Sequence, residues 1–172
     1  LHPPYHAALM TQRYKVRVTK DHLVFCSGHF ISYEGDRCER LHGHNYRTTV
    51  EIEGDLDPSS WYVFDFIALK HLTKAITDEL DHRMMLPTRN PVITLEEKPG
   101  SIRVVYKDRE WVFPRGDCVL LPIENTTAEL LARWIAERLR TEIQKQHSYV
   151  PQVLRVEVEE NIGQSATCEL RA

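Results

Sequence analysis

The stretch CERLHGHN, residues 38–45, sets a thiol, a carboxylate and two imidazoles close together. On an extended strand, side chains two apart point the same way, so His42 and His44 can reach one metal ion while Gly43 between them adds no bulk. An HxH pair alone is weak evidence for a metal, because paired histidines also occur as ordinary surface residues. A third ligand is needed. His29, in FCSGHF at the end of the preceding strand segment, supplies it if the two strands pair. Three imidazoles with an open fourth position are the donor set of a catalytic zinc rather than of a closed structural one. On its own, His29 reads more simply as a hydrogen-bonded, half-buried histidine.

Cys38 shares the strand parity of His42 and His44, so an extended approach aims its thiol at the metal side. There a cation, with Arg37 and Arg40 nearby, favours the thiolate. The competing reading is a small buried hydrophobe. Glu39 has the opposite parity and faces away unless the connection twists. Asp81 and His82, in LDHRMML, offer a carboxylate and an imidazole able to orient and charge a thiol brought close by the fold. The simpler alternative is a histidine favoured by the helix macrodipole beside a solvated aspartate. In the last strand segment Leu154, Val156 and Val158 share a face that continues to Glu160. That carboxylate either escapes at the strand end or anchors a ligand bearing N–H donors. Thr127 and Glu129 are explained largely by helix capping.

The elements that must position these groups follow from periodicity. Alternation in YKVRVTKDHLVFCSGHF and HGHNYRTTVEIEGDLDP predicts two paired antiparallel strands, joined by the polar, glycine-interrupted ISYEGDRCERL, a connection lying over a site. Asp65 caps a helix whose apolar residues Leu69, Leu72, Ile76 and Leu80 recur at helical spacing. A second helix opens at a capping box of Thr126 and Glu129, with Leu131, Trp134, Ile135 and Leu139 as its stripe. Between the helices, SIRVVYKDREWVF predicts a hairpin turning near Lys107 and Asp108, and PQVLRVEVEEN a final strand. The order strand, strand, helix, hairpin, helix, strand predicts an α+β fold with helices on one face of an antiparallel sheet.

The chain of 172 residues is the size of one domain. The expected boundaries are a single domain over 13–172 after a tail at 1–12, whose LHPPYH contributes no chemistry. Lys and Arg total 22 against 25 Asp and Glu, and no basic block is long enough to hold a nucleic-acid backbone. The four cysteines are widely spaced with no CxxC, so reduced thiols are expected. No run approaches the ~18 apolar residues of a membrane span, and no secretory signal pattern opens the chain. A cytoplasmic protein with neither membrane nor nucleic acid as partner is expected.

In this order, CSGHF, CERLHGHNY, YVFDFIALK, LDHRMML, NTTAELLA and VEVEEN resemble the 6-pyruvoyl tetrahydropterin synthase and 6-carboxytetrahydropterin synthase family, from about Tyr14 to Glu160. The resemblance implies the tunnelling fold, an antiparallel four-stranded sheet with two helices on one face. It also implies assembly into a trimer and commonly a homo-hexamer with sites between subunits. It implies Zn²⁺ on His29, His42 and His44, Cys38 as the proton-abstracting thiol, and Asp81 with His82 completing a catalytic triad. Glu160, Thr127 and Glu39 would face the substrate, Glu160 gripping the pterin ring. The implied activity is that of a lyase on 7,8-dihydroneopterin triphosphate, with loss of triphosphate. A segment at about 95–118 is longer than a compact member needs and is expected as an inserted hairpin.

The spacing C-x-x-x-H-G-H resembles the queuosine-pathway enzymes that form 6-carboxy-5,6,7,8-tetrahydropterin, which is the expected product. A glutamate three before HGH resembles instead the folate-directed branch that forms 6-hydroxymethyldihydropterin. That activity, a dual enzyme and a 6-pyruvoyl tetrahydropterin synthase are the alternatives within the family. From other classes, a zinc hydrolase using Glu39 or Glu160 as base and a noncatalytic metal-binding module would use fewer of these residues.

Overall fold

Strand β1 (Tyr14–His29) pairs antiparallel with the fourth strand in chain order, β4 (His42–Gly54), through a register that sets His29 opposite His42, Ser27 opposite His44 and Phe25 opposite Tyr46. Alternation decides the faces: Val18, Phe25, Tyr46, Val50 and Ile52 are buried, while Lys15, Arg17, Glu51 and Glu53 stay on the uncovered face, where Lys15 and Arg17 pair with Glu51 at 3.2 and 3.6 Å. The computed structural model describes residues 12–172, so residues 1–11 of the expected tail lie outside the described residues.

The connection between β1 and β4 carries a two-residue ladder, β2 (Ser32–Tyr33) with β3 (Arg37–Cys38). It turns at Glu34 and Gly35, both at positive φ. Residues 39–41 belong to no strand. Cys38 is therefore not on one continuous strand with His42.

Helix α1 (Phe66–Asp78) starts where expected: the Asp65 carboxylate accepts from the Ala68 amide at 2.7 Å, a cap of about 1 kcal/mol. Its buried face includes Leu69, Leu72 and Ile76. Five strands and the second helix follow. These are β5 (Arg83–Pro87), β6 (Thr94–Lys98), β7 (Ser101–Tyr106) and β8 (Arg109–Pro114), then β9 (Cys118–Leu121) and α2 (Ala128–His147). The chain ends with β10 (Val153–Asn161) and β11 (Gln164–Arg171). Helix α2 buries Leu131, Trp134, Ile135 and Leu139 as expected, but its cap is one residue later than the predicted box: Thr127, not Thr126, accepts from the Leu130 amide.

The α+β architecture holds, and the main sheet is larger than the expected four strands. Its order is β11-β10-β4-β1-β5-β9, with β1–β5 and β5–β9 parallel. The extra strands β5 and β9 are short, nearly unbroken apolar runs, which alternation cannot flag. The segment expected as an inserted hairpin forms a separate sheet, β6-β7-β8, turning at Lys107 and Asp108 as predicted. Two cores result. The larger lies between the helices and the covered face of the main sheet, with Phe25 and Tyr46 stacked at 4.9 Å. The smaller joins Phe30, Met84 and Leu86 to Ile102, Val104 and Tyr106 of the small sheet, with Phe30 stacked on Trp111 at 4.6 Å.

Candidate metal centre and active site

The β1–β4 register brings the three predicted imidazoles together. Ring centroids of His29, His42 and His44 lie 4.7 to 5.2 Å apart. Close approach of the two backbones requires Gly43, where a Cβ would meet the Ser27 carbonyl oxygen at 2.9 Å. Strand β10, on the other side of β4, adds Glu160, whose Oε1 is 3.2 Å from Nε2 of both His29 and His44. One potential ligand atom from each of these four residues lies within 4.8 Å of the others.

The surroundings suit a divalent metal. His29 Nδ1 lies 3.0 Å from the Thr126 carbonyl oxygen and His42 Nδ1 lies 2.8 Å from that of Arg40. Each contact fixes the ring tautomer and leaves Nε2 with a lone pair for a metal. Among the described residues, Nε2 of His29 and of His44 are buried with no hydrogen-bond donor or acceptor but the nearby Glu160 carboxylate. A buried polar atom left in this state is costly unless an ion occupies the centre. Burial outweighs the raising effect of the Thr126 carbonyl and, with smaller contributions from His42 and His44, pushes the His29 pKa down to about 4. The imidazole is thus neutral at physiological pH, as a ligand must be.

The two reactive neighbours of the opening motif are placed opposite to the parity expectation. The break in strand structure at residues 39–41 turns the chain, so the Glu39 carboxylate faces the cluster, with Oε2 at 3.9 Å from His42 Nε2. Cys38 is outside the four-residue group. It packs against the smaller core, and its Sγ contacts the Glu39 carbonyl at 3.5 Å. Burial raises its pKa despite Arg109 nearby, the reverse of an activated thiolate.

Asp81 and His82 do form a pair, with His82 Nδ1 at 2.9 Å from Asp81 Oδ2, but among the described residues neither has a hydrogen bond to Cys38. The Asp81 carboxylate instead accepts from the Cys26 amide at 2.8 Å, the main reason its pKa lies below the usual range. His82 adopts positive φ, and its side chain is 83% exposed. His82 therefore faces outward along the rim shared by Cys26, Gly28, His42 and Gly43, with Asp81 behind it.

Thr127 and Glu160 share a cavity of about 420 Å³ with Ile31, Glu129, Gln164 and Ser165, enough for a small heterocycle. Two nearby residues were not identified as site residues from the sequence. Tyr46, its ring centroid 5.5 Å from that of His44, has a buried hydroxyl without a partner among the described residues. Burial, with Glu160 and Glu39 nearby, raises its pKa. Parity two residues beyond His44 pointed to it. Thr126, fully buried against His29, carried no signal beyond its own expected place in the capping box.

Three imidazoles converging with one carboxylate, a second carboxylate at their edge and a cavity alongside are the parts of a metal-dependent enzyme rather than of a closed structural metal site. The chain belongs to the 6-pyruvoyl tetrahydropterin synthase family, whose profile matches residues 17–171, and so to the pterin-synthesising enzymes. A provisionally named 6-carboxy-5,6,7,8-tetrahydropterin synthase of Methanocaldococcus jannaschii is 32% identical over 144 residues, 84% of this chain and 88% of the relative. A dihydroneopterin monophosphate aldolase of Pyrococcus furiosus is 28% identical over 116 residues, 67% of this chain and 68% of the relative. The crystal structure of 6-pyruvoyl tetrahydropterin synthase from Plasmodium vivax superposes with a TM-score of 0.87 at 29% identity, covering 94% of this chain and all of that one. Variants of that protein with a glutamate replaced by alanine or cysteine are described as catalytic residue mutants.

Proposed function

We propose that the protein is a zinc-dependent lyase acting on 7,8-dihydroneopterin triphosphate, with Glu39 as its working base and 6-hydroxymethyldihydropterin as its main product. The observation that carries this is the Glu39 carboxylate at 3.9 Å from His42 Nε2, with the Cys38 thiol packed elsewhere. The catalytic glutamate of the Plasmodium vivax protein and the aldolase name of the Pyrococcus furiosus relative support it.

His29, His42 and His44 would hold the metal, whose borderline softness suits three imidazoles and which supplies a Lewis acid for the substrate's side-chain oxygens. Glu160 and Thr127 line the cavity for the pterin, and Glu160 can accept from ring N–H groups. Glu39 takes the proton of a side-chain hydroxyl while the adjacent carbon–carbon bond breaks. The electron pair passes into the dihydropterin ring, and the proton returns to the carbon left on it. The other two carbons depart as an aldehyde carrying the phosphates. Tyr46, protonated and unpaired, is placed to donate a hydrogen bond within the site. The outward-facing His82, with its partner Asp81, is assigned to proton transfer in the site of a second copy of the chain, in an assembly such as a hexamer.

Formation of 6-carboxy-5,6,7,8-tetrahydropterin is the second reading, favoured by the name of the Methanocaldococcus jannaschii relative and by the Cys38 spacing to His42. Incubation of the zinc-loaded protein with 7,8-dihydroneopterin triphosphate, with products identified by mass, separates the two. Predominant 6-hydroxymethyldihydropterin supports the first, and predominant 6-carboxytetrahydropterin replaces it with the second.

A further inference from the structure

The loop that carries Glu39 has little structure of its own: a two-residue ladder cannot hold a register unaided. The small sheet supplies the missing restraints. The Tyr106 hydroxyl donates to the Asp36 carbonyl, and Lys107 Nζ pairs with the Asp36 carboxylate at 3.0 Å. Arg109 reaches further, donating from one terminal nitrogen to the Cys38 carbonyl at 3.0 Å and from the other to the Glu39 carbonyl at 2.8 Å.

We propose that Arg109 is a positioning residue for the reaction, its guanidinium setting the direction of the Glu39 carboxylate by holding the two carbonyls on either side of the Glu39 Cα–N bond. The proposal rests on the assignment of Glu39 as base. A planar fork that binds two successive carbonyls fixes the backbone on both sides of the residue whose side chain must point at the cluster. The fork is itself held. Its carbon lies 4.6 Å from the Trp111 ring centroid and 5.8 Å from that of Tyr106. Trp111 stacks on Phe30, the residue after the ligand His29. One sheet thus braces the base and the residue next to a metal ligand, so that their separation is set by a single rigid element. A lysine keeps the charge but, as a compact ammonium on a flexible stem, does not reproduce the planar two-point grip.

The test uses the full zinc-loaded chain and 7,8-dihydroneopterin triphosphate, and compares Arg109→Lys, Arg109→Gln, Glu39→Ala, the Arg109→Lys/Glu39→Ala double variant and Tyr106→Phe. Both Arg109 variants should lose about 10- to 100-fold in kcat, as a base displaced by about 1 Å does, with zinc content retained and KM nearly unchanged. In the Glu39→Ala background, Arg109→Lys should cost nothing more. Amide exchange at Glu39, whose N–H donates to the Ile31 carbonyl, and at Ile31, whose N–H donates to the Glu39 carboxylate, should speed up in Arg109→Lys while exchange in β4 does not. Tyr106→Phe, which removes only the hydroxyl's bond to the Asp36 carbonyl, should keep most of the activity.

Parental kcat in Arg109→Lys with loss in Glu39→Ala overturns the positioning role and leaves the base assignment standing. Losses that multiply in the double variant, or an equal loss in Tyr106→Phe, also overturn it. Parental activity in Glu39→Ala overturns the base assignment and the positioning role with it.

Discussion

His29 Nδ1 lies 3.0 Å from the carbonyl oxygen of Thr126, tying the last residue of β1 to the residue before the cap of α2. With its N–H spent there, His29 can offer only Nε2 to a metal, and the ion would lock the first and last thirds of the chain together. Stripping zinc with a chelator should therefore destabilise the fold as well as stop turnover. A metal at about 100 times its Kd adds roughly 2.7 kcal/mol, or roughly 5–10 °C of melting temperature for a chain of this size. Calorimetry before and after chelation reads this, and full zinc content in His42→Ala and His44→Ala would remove the ligand assignment.

Gly43 should tolerate no side chain. An added Cβ at 2.9 Å from the Ser27 carbonyl oxygen must push β1 from β4 where their histidines converge, at a cost of about 1–3 kcal/mol. Gly43→Ala should lower both the urea midpoint and zinc affinity. Gly116→Ala, where a Cβ meets nothing within 4 Å, is the control and should do neither.

Glu160→Gln should retain zinc, because three imidazoles suffice to hold it, and should weaken pterin binding by about tenfold or more through a mismatched donor. Titration with a pterin and metal analysis of the same sample decide. If zinc leaves and pterin affinity stays, the contacts at 3.2 Å to His29 and His44 mark a fourth metal ligand instead of an anchor.

The α1 cap is independent of the site. Asp65→Ala removes the acceptor of the Ala68 amide and should cost about 1 kcal/mol, roughly 2–4 °C in melting temperature. Zinc content should not change, and a loss of zinc would show that the cap and the site are coupled.

Strand parity made much of the site legible. It put His42 and His44 on one face, gave His29 a place across from them and carried the apolar stripe of β10 out to Glu160. Parity failed between Cys38 and His42 because it assumes an unbroken strand, and residues 39–41 leave the strand conformation. The mistake exchanged the places of Cys38 and Glu39. Asp81 and His82 were legible as a pair but not in direction, since positive φ at His82 depends on a turn that no glycine announced. The six-stranded sheet was half visible: β1, β4 and β10 alternate, whereas β5 and β9 are apolar runs whose partners lie far away in sequence, and β11 follows the strand that was expected to be the last. The contacts of Arg109 with Cys38 and Glu39 span about seventy residues, and nothing local in either segment indicates them.

Zinc-loaded Cys38→Ala and Glu39→Ala proteins, each incubated with 7,8-dihydroneopterin triphosphate while 6-hydroxymethyldihydropterin and 6-carboxytetrahydropterin are quantified separately, test the central claim most directly. Glu39→Ala should lose 6-hydroxymethyldihydropterin formation by about 10²- to 10⁴-fold, the range for removal of a general base, and Cys38→Ala should retain it, with zinc bound in both. Full activity in Glu39→Ala together with loss in Cys38→Ala would contradict the account and return the proton transfer to the thiol.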